Sequence, residues 1–177
     1  MAAKNLLSGF KFFSEIDPKT LEMIGQKGEV LEFNSGDVVF HFDAPAEYFY
    51  GLLEGEVKLS LVFKDKVLKT EIEYEEAIQA RMVDEEKSIV VDTVRPGQVF
   101  GWASLVGPER RTVAARCTEP SRVIALKAVE LRAMFEQNHT LGYLLMKGLS
   151  DISSKRLKNR TDKLIEAWVE AFDADQI

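Results

Sequence analysis

Short runs of alternating apolar and polar residues fill the middle of the chain, from residue 29 to about residue 126. In the run EVKLSLVF, every second residue is apolar: Val57, Leu59, Leu61 and Phe63. This period of two predicts a strand with one buried face. Similar runs lie between turn residues: EVLEF, DVVFHF, EYFYGLL, KSIVVDTV, QVF, RTVAARC and RVIAL. So many short strands predict a closed double sheet, either a sandwich or a jelly roll.

The two ends of the chain carry helical signals instead. Near the N-terminus, Asp17 stands before Pro18 and Gly28 follows the apolar run, which is typical of a capped helix with a defined end. After Leu126, the run VELRAMFEQN predicts a short helix. A long helix is predicted to begin at Thr140, and its apolar residues recur at helical spacing: Leu141, Leu145, Leu149, Ile152, Leu157, Leu164, Ile165, Trp168 and Phe172.

These elements predict one mainly β domain over residues 1–177, with helices on its flanks. Residues 1–28 form N-terminal helices, residues 29–126 form a jelly-roll-like double-stranded β-helix (a β-roll), and residues 127–177 form the short and the long C-terminal helix. The chain is long enough to bury a core of its own without disulfides.

One segment inside the predicted β-roll, residues 64–87, breaks the rhythm of short strands. It is long and acidic and contains no turn dipeptide. Its pattern fits an extended hairpin or a short surface helix around Glu75–Met82. A solvated insertion is the simpler interpretation, and an arm that binds a partner is the alternative.

Charge and cysteine content narrow the class of protein. The net charge is −6, with 23 Lys and Arg against 29 Asp and Glu, which disfavours a general nucleic-acid or anionic-membrane surface. Cys117 is the single cysteine, so a reducing compartment is favoured. The N-terminus lacks the apolar core of a signal peptide, and no apolar run reaches the roughly 18 residues that cross a bilayer. We therefore expect a cytoplasmic protein with no membrane contact.

Three segments carry a resemblance to a known family: NSGDVVFHFDAPAEYFYGLLEGEVKL, RPGQVFG and RTVAARCTEPSRVIAL. With the order of helices, strands and helices, they resemble the cyclic nucleotide-binding domain family, which includes catabolite-activator-type regulators, protein kinase A regulatory subunits and gated channels. The resemblance extends over nearly the whole chain. It implies a regulatory β-roll that senses a ligand, with cAMP, cGMP or a related anionic molecule as that ligand.

The resemblance also implies the site, because the family's phosphate-binding cassette reads F-G-E-x-A-L, followed after about five residues by R-(S/T)-A. A short helix that begins after the glycine points free backbone N–H groups at an anion, and an arginine adds charge-assisted hydrogen bonds. Arg111 is implied as the phosphate arginine and Thr112 as a nearby hydroxyl donor, whereas Arg110 is expected to be a solvated neighbour. The implied ligand contacts are Gly101, Trp102, Ala103, Ser104, Arg111 and Thr112.

Trp102 departs from the family's pattern, which has a glutamate that accepts a hydrogen bond from the ribose 2′-hydroxyl. An indole has one N–H donor and no acceptor, and we expect its ring to occupy the space of the sugar. Glu109 is the other carboxylate near enough in sequence to take the missing role. Two structural alternatives are that Arg111 pairs with a carboxylate and that Trp102 fills an empty pocket as part of the core.

Three classes of function remain. The first is a module that binds a cyclic nucleotide or another anionic small molecule. The second is a degenerate module that binds no nucleotide and acts as a structural or interaction domain, with residues 64–87 as its contact surface. The third is a cupin-like metalloenzyme, which two isolated histidines, His41 and His139, disfavour. We expect neither catalysis nor a metal site.

The expected assembly follows from the C-terminal end. The regular apolar stripe between Thr140 and Phe172 predicts a homodimer through the long helix. Because the sequence ends at Ile177 while that helix is finishing, no recognition helix is expected and no direct binding to DNA.

Overall fold

A computed structural model of the chain describes residues 6–74, 77–107 and 109–174. Two short 3-10 turns, Leu7–Gly9 and Lys11–Phe13, precede helix α1, Pro18–Gln26. The Asp17 side chain caps α1 by accepting a hydrogen bond of 3.0 Å from the Thr20 N–H, as its position before Pro18 predicts. Hydrogen bonding from the Thr20 side chain, and next from its N–H, lowers the pKa of Asp17.

Eight strands of the described chain form two antiparallel four-stranded sheets, which confirms the predicted β-roll. One sheet has the order β1-β8-β3-β6 and the other the order β2-β7-β4-β5. The strands are β1 Gly28–Phe33, β2 Val38–Phe40, β3 Tyr48–Glu54, β4 Val57–Tyr74, β5 Ala77–Val94, β6 Val99–Phe100, β7 Ala114–Cys117 and β8 Ser121–Lys127.

The core has two parts. The space between the two sheets is filled by one cluster of buried side chains, among them Phe40, Tyr50, Leu52, Leu59, Phe100 and Val123. A second cluster lies between the first sheet and the helices and includes Phe10, Phe13, Leu126, Leu131, Leu141 and Leu145. The helices therefore cover the outer face of one sheet, while the roll has an interior of its own.

Strands β4 and β5 extend far beyond the roll as a hairpin, because β4 pairs with β7 only over residues 57–60. Beyond Ser60 the two strands pair only with each other; we call this part, residues 61–74 and 77–89, the arm. An extended hairpin was one of the two predicted forms. The helix alternative around Glu75–Met82 is wrong from Ala77 onward, where the chain is β5, and residues 75–76 lie outside the described chain.

The strict alternation predicted for EVKLSLVF holds for burial only as far as the roll extends. Val57 and Leu59 are buried in the roll, whereas Leu61 and Phe63 are each 41% exposed. The register between β4 and β5 shifts between Leu59 and Ser60. This is also where the pairing of β4 with β7 ends. The pleat continues, but nothing in the described chain covers its apolar face there.

Three helices follow in the second half of the chain: α2 Ala103–Val106, α3 Ala128–Gln137 and α4 His139–Ala174. Helix α4 begins one residue before the predicted start, and the Asn138 side chain accepts the Leu141 N–H at 3.1 Å. Within the described ranges, no helix has both the length and the apolarity that crossing a membrane requires.

Helix α4 carries two apolar groups, not the single stripe that we predicted. Leu141, Leu145 and Leu149 are buried against the body. The distal residues of the predicted stripe are all more than half exposed: Leu157, Leu164, Ile165, Trp168 and Phe172. At about 100° per residue, the exposed group points roughly 150° away from the buried group. The distal half therefore turns its apolar face away from the roll; we call this face the outer face.

Candidate functional site

The predicted cassette lies in the turn that connects β6 to α2. Gly101 occupies this turn with a φ of +76°, in the region that favours glycine. A Cβ atom at this position would lie 2.8 Å from Nη1 of Arg111 and 3.0 Å from Cδ2 of Tyr50. Gly101 is therefore required both by its backbone angle and by the close approach of the arginine.

Arg111 lies inside the roll, and its side chain is only 3% exposed. Its Nη1 donates to the Gly101 carbonyl at 2.8 Å, and its Nη2 donates to the Tyr48 carbonyl at 2.7 Å. The guanidinium carbon lies 4.2 Å from the centre of the Phe40 ring and 5.5 Å from that of Tyr50. Two main-chain carbonyls and two aromatic rings thus hold the guanidinium of Arg111 in place.

No carboxylate of the described chain forms an ion pair with Arg111, although Glu47 is near enough to interact with its charge. Its Nε is buried without a hydrogen-bond partner, and no Asp or Glu oxygen of the described residues lies in ion-pair contact with it. The predicted alternative of a carboxylate pair is therefore wrong for this part of the chain. Burial lowers the pKa of Arg111, and burial likewise raises the pKa of Tyr50. The roll thus contains a buried positive charge beside the cassette turn.

The residues just before Arg111 run alongside the segment that precedes β3. The Arg111 N–H donates to the Ala44 carbonyl at 2.8 Å, and the Asp43 N–H donates to the Arg111 carbonyl at 2.9 Å. The strand predicted for RTVAARC is therefore shorter than expected and begins only at Ala114.

Arg110 is exposed, as predicted for a solvated neighbour, but it has a partner. Its Nε and Nη2 donate to the two carboxylate oxygens of Asp43, at 2.6 and 3.0 Å. This pair lowers the pKa of Asp43 and raises the pKa of Arg110. The two adjacent arginines therefore differ: one is an exposed ion pair and the other is a buried cation.

Trp102 packs on the helical side of the first sheet. Its half-buried ring packs against the cluster between the first sheet and the helices, not among the side chains that fill the roll. The guanidinium carbon of Arg156 in α4 lies 4.1 Å from the ring centre. The alternative of a packing role agrees with this position, and the expectation about the sugar's space stays a prediction. Trp102 joins the cassette turn to α4.

Arg156 makes this junction a three-way contact. Its Nε lies 2.6 Å from Oδ2 of Asp92 in β5, and its Nη2 donates to the Val99 carbonyl of β6 at 3.4 Å. Burial lowers the pKa of Arg156 to about 10, which is still far above neutral, so the side chain remains charged. Through Arg156, α4 thus contacts both the base of the arm and the cassette.

The remaining predicted contacts, Ser104, Ala103 and Thr112, differ in burial and in their neighbours. Ser104 is buried, and its hydroxyl donates to the Gly101 carbonyl at 3.0 Å. Ala103 and Ser104 both border a cavity of about 450 Å³ between α2, α3 and the start of β3. Thr112 is exposed beside the buried Arg111. The structure therefore brings Gly101, Ser104 and Arg111 together, whereas Trp102, Ala103 and Thr112 face other surroundings.

Sequence reasoning missed Phe40 and Tyr50, whose rings flank Arg111, and Arg156 with its partner Asp92. The alternation of side chains along a strand could have indicated that these two aromatic residues of β2 and β3 face the interior. Arg156 lies on the same side of the helix as Leu149 and Ile152. A helical projection could therefore have indicated that Arg156 faces the body of the molecule.

Cys117 is buried in β7, as predicted for a small apolar residue. Burial raises the pKa of its thiol. Throughout the described residues, no cluster of three His, Cys, Asp or Glu side chains is arranged to hold a metal ion.

The sequence model of the cyclic nucleotide-binding domain matches residues 30–138, more than half of the chain. The chain belongs to the cyclic nucleotide-binding domain family. This confirms the resemblance found in the sequence, and the matched range begins in β1 and ends just after α3. No curated protein matches the chain.

Solved structures of this family share the fold. A Geobacter metallireducens GS-15 protein assigned to the cyclic nucleotide-binding proteins is 29% identical, with a TM-score of 0.65 and coverage of 89% of this chain and 98% of that one. The regulatory subunit of a cAMP-independent protein kinase A from Trypanosoma brucei is 14% identical (TM-score 0.63, coverage 90% and 49%). The regulatory domain of Toxoplasma gondii protein kinase A, solved with cAMP, is 15% identical (TM-score 0.58, coverage 89% and 49%).

Proposed function

We propose that this protein is a regulatory module that binds a cyclic nucleotide or a related anionic small molecule at the cassette, with Arg111 as the cationic contact. The observation that carries the proposal is the burial of Arg111 without an ion-paired carboxylate in the described chain. A buried charge without an ion-pair partner is unfavourable. An anion at this position gains a charge-assisted hydrogen bond from a donor that is already oriented.

The choice of ligand is not fixed by the fold. Among the structural neighbours, one protein kinase A regulatory subunit is described as cAMP-independent and another was solved with cAMP. In our chain, the position of the family's ribose-binding glutamate is Trp102, which turns toward α4. We therefore propose that the anionic group is recognised and that the sugar contributes less than in relatives with the glutamate.

A second function, an interaction module without a nucleotide, is favoured by a different observation. Both terminal nitrogens of Arg111 already have carbonyl partners, and its guanidinium packs on Phe40. A guanidinium held in this way needs no ligand to be stable. The two functions differ in one measurable property, which is whether an anion raises the stability of the folded chain.

The test is a thermal-shift screen with cAMP, cGMP and other phosphorylated small molecules, followed by calorimetry. A ligand at one hundred times its Kd stabilises the fold by about 2.7 kcal/mol. Arg111→Ala is expected to weaken binding by about 1.5–3 kcal/mol, the range for a hydrogen bond to a charged group. Arg110→Ala is the matched control, and it should have a much smaller effect because Arg110 is exposed and paired with Asp43.

Each outcome decides between the two functions. Equal losses in the two variants would show that the cassette is shifted by one residue from our assignment. If no anion stabilises the native chain, the binding function is wrong and the interaction function takes its place.

We also infer that the outer face of α4 pairs with a second copy of the chain. Trp168 and Phe172 form an edge-to-face pair with ring centres 6.0 Å apart on this exposed face. Because the outer face points away from the roll, the body of the same chain is not placed to cover it. A regulatory module with a lone buried thiol agrees with a cytoplasmic location.

A further inference from the structure

A groove of about 370 Å³ lies on the helical side of the molecule, away from the interior of the roll. One wall is the chain around the second 3-10 turn, another is the connection between β5 and β6 at residues 97–99, and the third is α4 between Leu144 and Asn159. Pockets for small molecules range from roughly 300 to 1,000 Å³, so the groove has room for a small ligand.

The floor of the groove is apolar. It is formed by Phe12, Ile16, Leu144 and Ile152. Gly148 allows α4 to approach this floor closely, because a Cβ at this position would lie 3.0 Å from Cε2 of Phe12. An extended apolar body of a few carbon atoms fits such a surface, where it loses contact with water.

The charges around the groove are not balanced. Two of its carboxylates have cationic partners: Glu15 accepts from Lys147 at 2.9 Å, and Asp92 contacts Arg156 at 2.6 Å. Lys11 and Lys155 also border the groove, and neither has an acidic partner in the described chain. Asp151 is the remaining lining carboxylate. The lining has three cations and three carboxylates, and Lys147, the partner of Glu15, adds a fourth cation beside it. The surroundings of the groove therefore carry an excess of one positive charge in a protein of net charge −6.

We propose that this groove binds a small amphipathic carboxylate. The apolar body of the ligand lies on the floor, and its carboxylate faces Lys11 and Lys155. This site shares none of the residues that hold the Arg111 guanidinium, and Arg156 on its wall connects it to Trp102. Since α4 forms one wall, a bound ligand connects the N-terminal segment to the helix that carries the outer face.

Three probes with the same eight-carbon chain and different head groups test the proposal: octanoate, octanol and octylamine. Calorimetry on the full chain should rank octanoate first, octanol second and octylamine last. Backbone amide NMR shifts on adding octanoate should appear at Phe12, Gly148 and Ile152.

Charge variants complete the test. Lys11→Glu and Lys155→Glu should each weaken octanoate binding by about three- to tenfold, as expected when an exposed ion pair becomes a repulsion, with little effect on octanol. Lys19→Glu changes the net charge equally at an exposed residue of α1 that does not line the groove, and it should leave octanoate binding unchanged.

Three results would overturn the proposal. One is equal binding of octanoate and octanol, the second is an equal effect of Lys19→Glu, and the third is a set of NMR shifts confined to residues 157–172. These results do not depend on the cassette, so they leave the proposed function of Arg111 to its own test.

Discussion

At the scale of single residues, Gly101 and Arg111 form one packing unit. The glycine removes the side chain that would collide with the guanidinium, and its carbonyl accepts a hydrogen bond from Nη1 of the same arginine. Gly101 also has a positive φ, so a substitution there has two separate effects. Gly36 provides a comparison, because its φ is +91° but a Cβ would meet no atom within 4 Å.

We predict that Gly101→Ala destabilises the protein more than Gly36→Ala does. An L residue in the left-handed region costs about 1–2 kcal/mol, and this is the whole effect expected for Gly36→Ala. The new methyl group of Gly101→Ala also displaces the Arg111 guanidinium from the carbonyl of residue 101. The lost hydrogen bond adds about 1 kcal/mol or more to the destabilisation. Urea unfolding of both variants measures the difference, and equal losses would show that Arg111 moves aside freely.

Trp102 and Arg156 are expected to stabilise the fold jointly. The guanidinium lies over the indole face at 4.1 Å and is half-buried, and such a contact contributes about 0.5–2 kcal/mol. We predict this coupling energy from a double-mutant cycle of Trp102→Leu, Arg156→Gln and the combined variant, measured by chemical unfolding. Leu at 102 keeps an apolar side chain on the helical cluster. Strictly additive effects would mean that the two side chains are neighbours without coupling.

The resemblance placed the predicted cassette along the chain but not the directions of its side chains. The structure has the Gly101 turn and the short helix where the motif implies them, because a glycine turn and a helix start are local features. The directions of Trp102 and Arg111 depend on packing against β2, β3 and α4, which are far away in sequence. Trp102 contacts Arg156 only because α4 crosses the cassette, and no local sequence pattern predicts that crossing.

At the scale of secondary-structure elements, the arm is attached to the roll over a short length. Strand β4 pairs with β7 only from Val57 to Ser60, whereas its pairing with β5 continues to Tyr74. The sequence indicated that residues 64–87 differ from the rest. The sequence did not decide between a hairpin and a helix, because a strand pair with charged residues on both faces has no clean period of two.

We predict that the arm contributes little to the stability of the roll. Replacing residues 65–85 by Asn-Gly joins the paired residues Lys64 and Glu86 through a two-residue turn suited to a hairpin. The thermal midpoint should move by no more than about 4 °C, or about 1 kcal/mol. Loss of a cooperative transition in calorimetry would contradict this.

The same variant separates the two interpretations of the segment. If residues 64–87 are a solvated insertion, the shortened chain keeps the oligomeric state of the full chain. A change in that state at matched concentration, measured by sedimentation, would favour an arm that binds a partner.

Helix α4 shows why a regular spacing is not enough to define one surface. Leu149 and Leu157 are both apolar and fit a helical spacing, yet one is buried and the other exposed. The phase of the pattern changes along the polar segment SSKRLKNRTDK, and that change moves the apolar group to the opposite side. Comparing mean directions of the two halves at 100° per residue detects the shift without a structure.

At the scale of the whole molecule, α4 is held to the body by its first half alone. Leu141 and Leu145 belong to the core cluster, Lys147 pairs with Glu15 at 2.9 Å, and Arg156 contacts Asp92 and Trp102. After Arg156 every described residue of α4 with an assigned exposure is exposed. The distal half therefore extends away from the body with its apolar face uncovered, and an apolar patch of this kind is typical of an interaction surface.

We predict that the native chain sediments as a dimer, with twice the 20.0 kDa mass of the chain, at tens of micromolar. Leu164→Glu and Trp168→Glu should each shift it toward the monomer, because each places a charge on an apolar surface that becomes buried on pairing. Asn159→Glu is the matched control: it adds one negative charge on the opposite side of the same helix and should leave the dimer intact. A native chain that sediments as a monomer, or a control that dissociates as readily, would show that the outer face takes another partner.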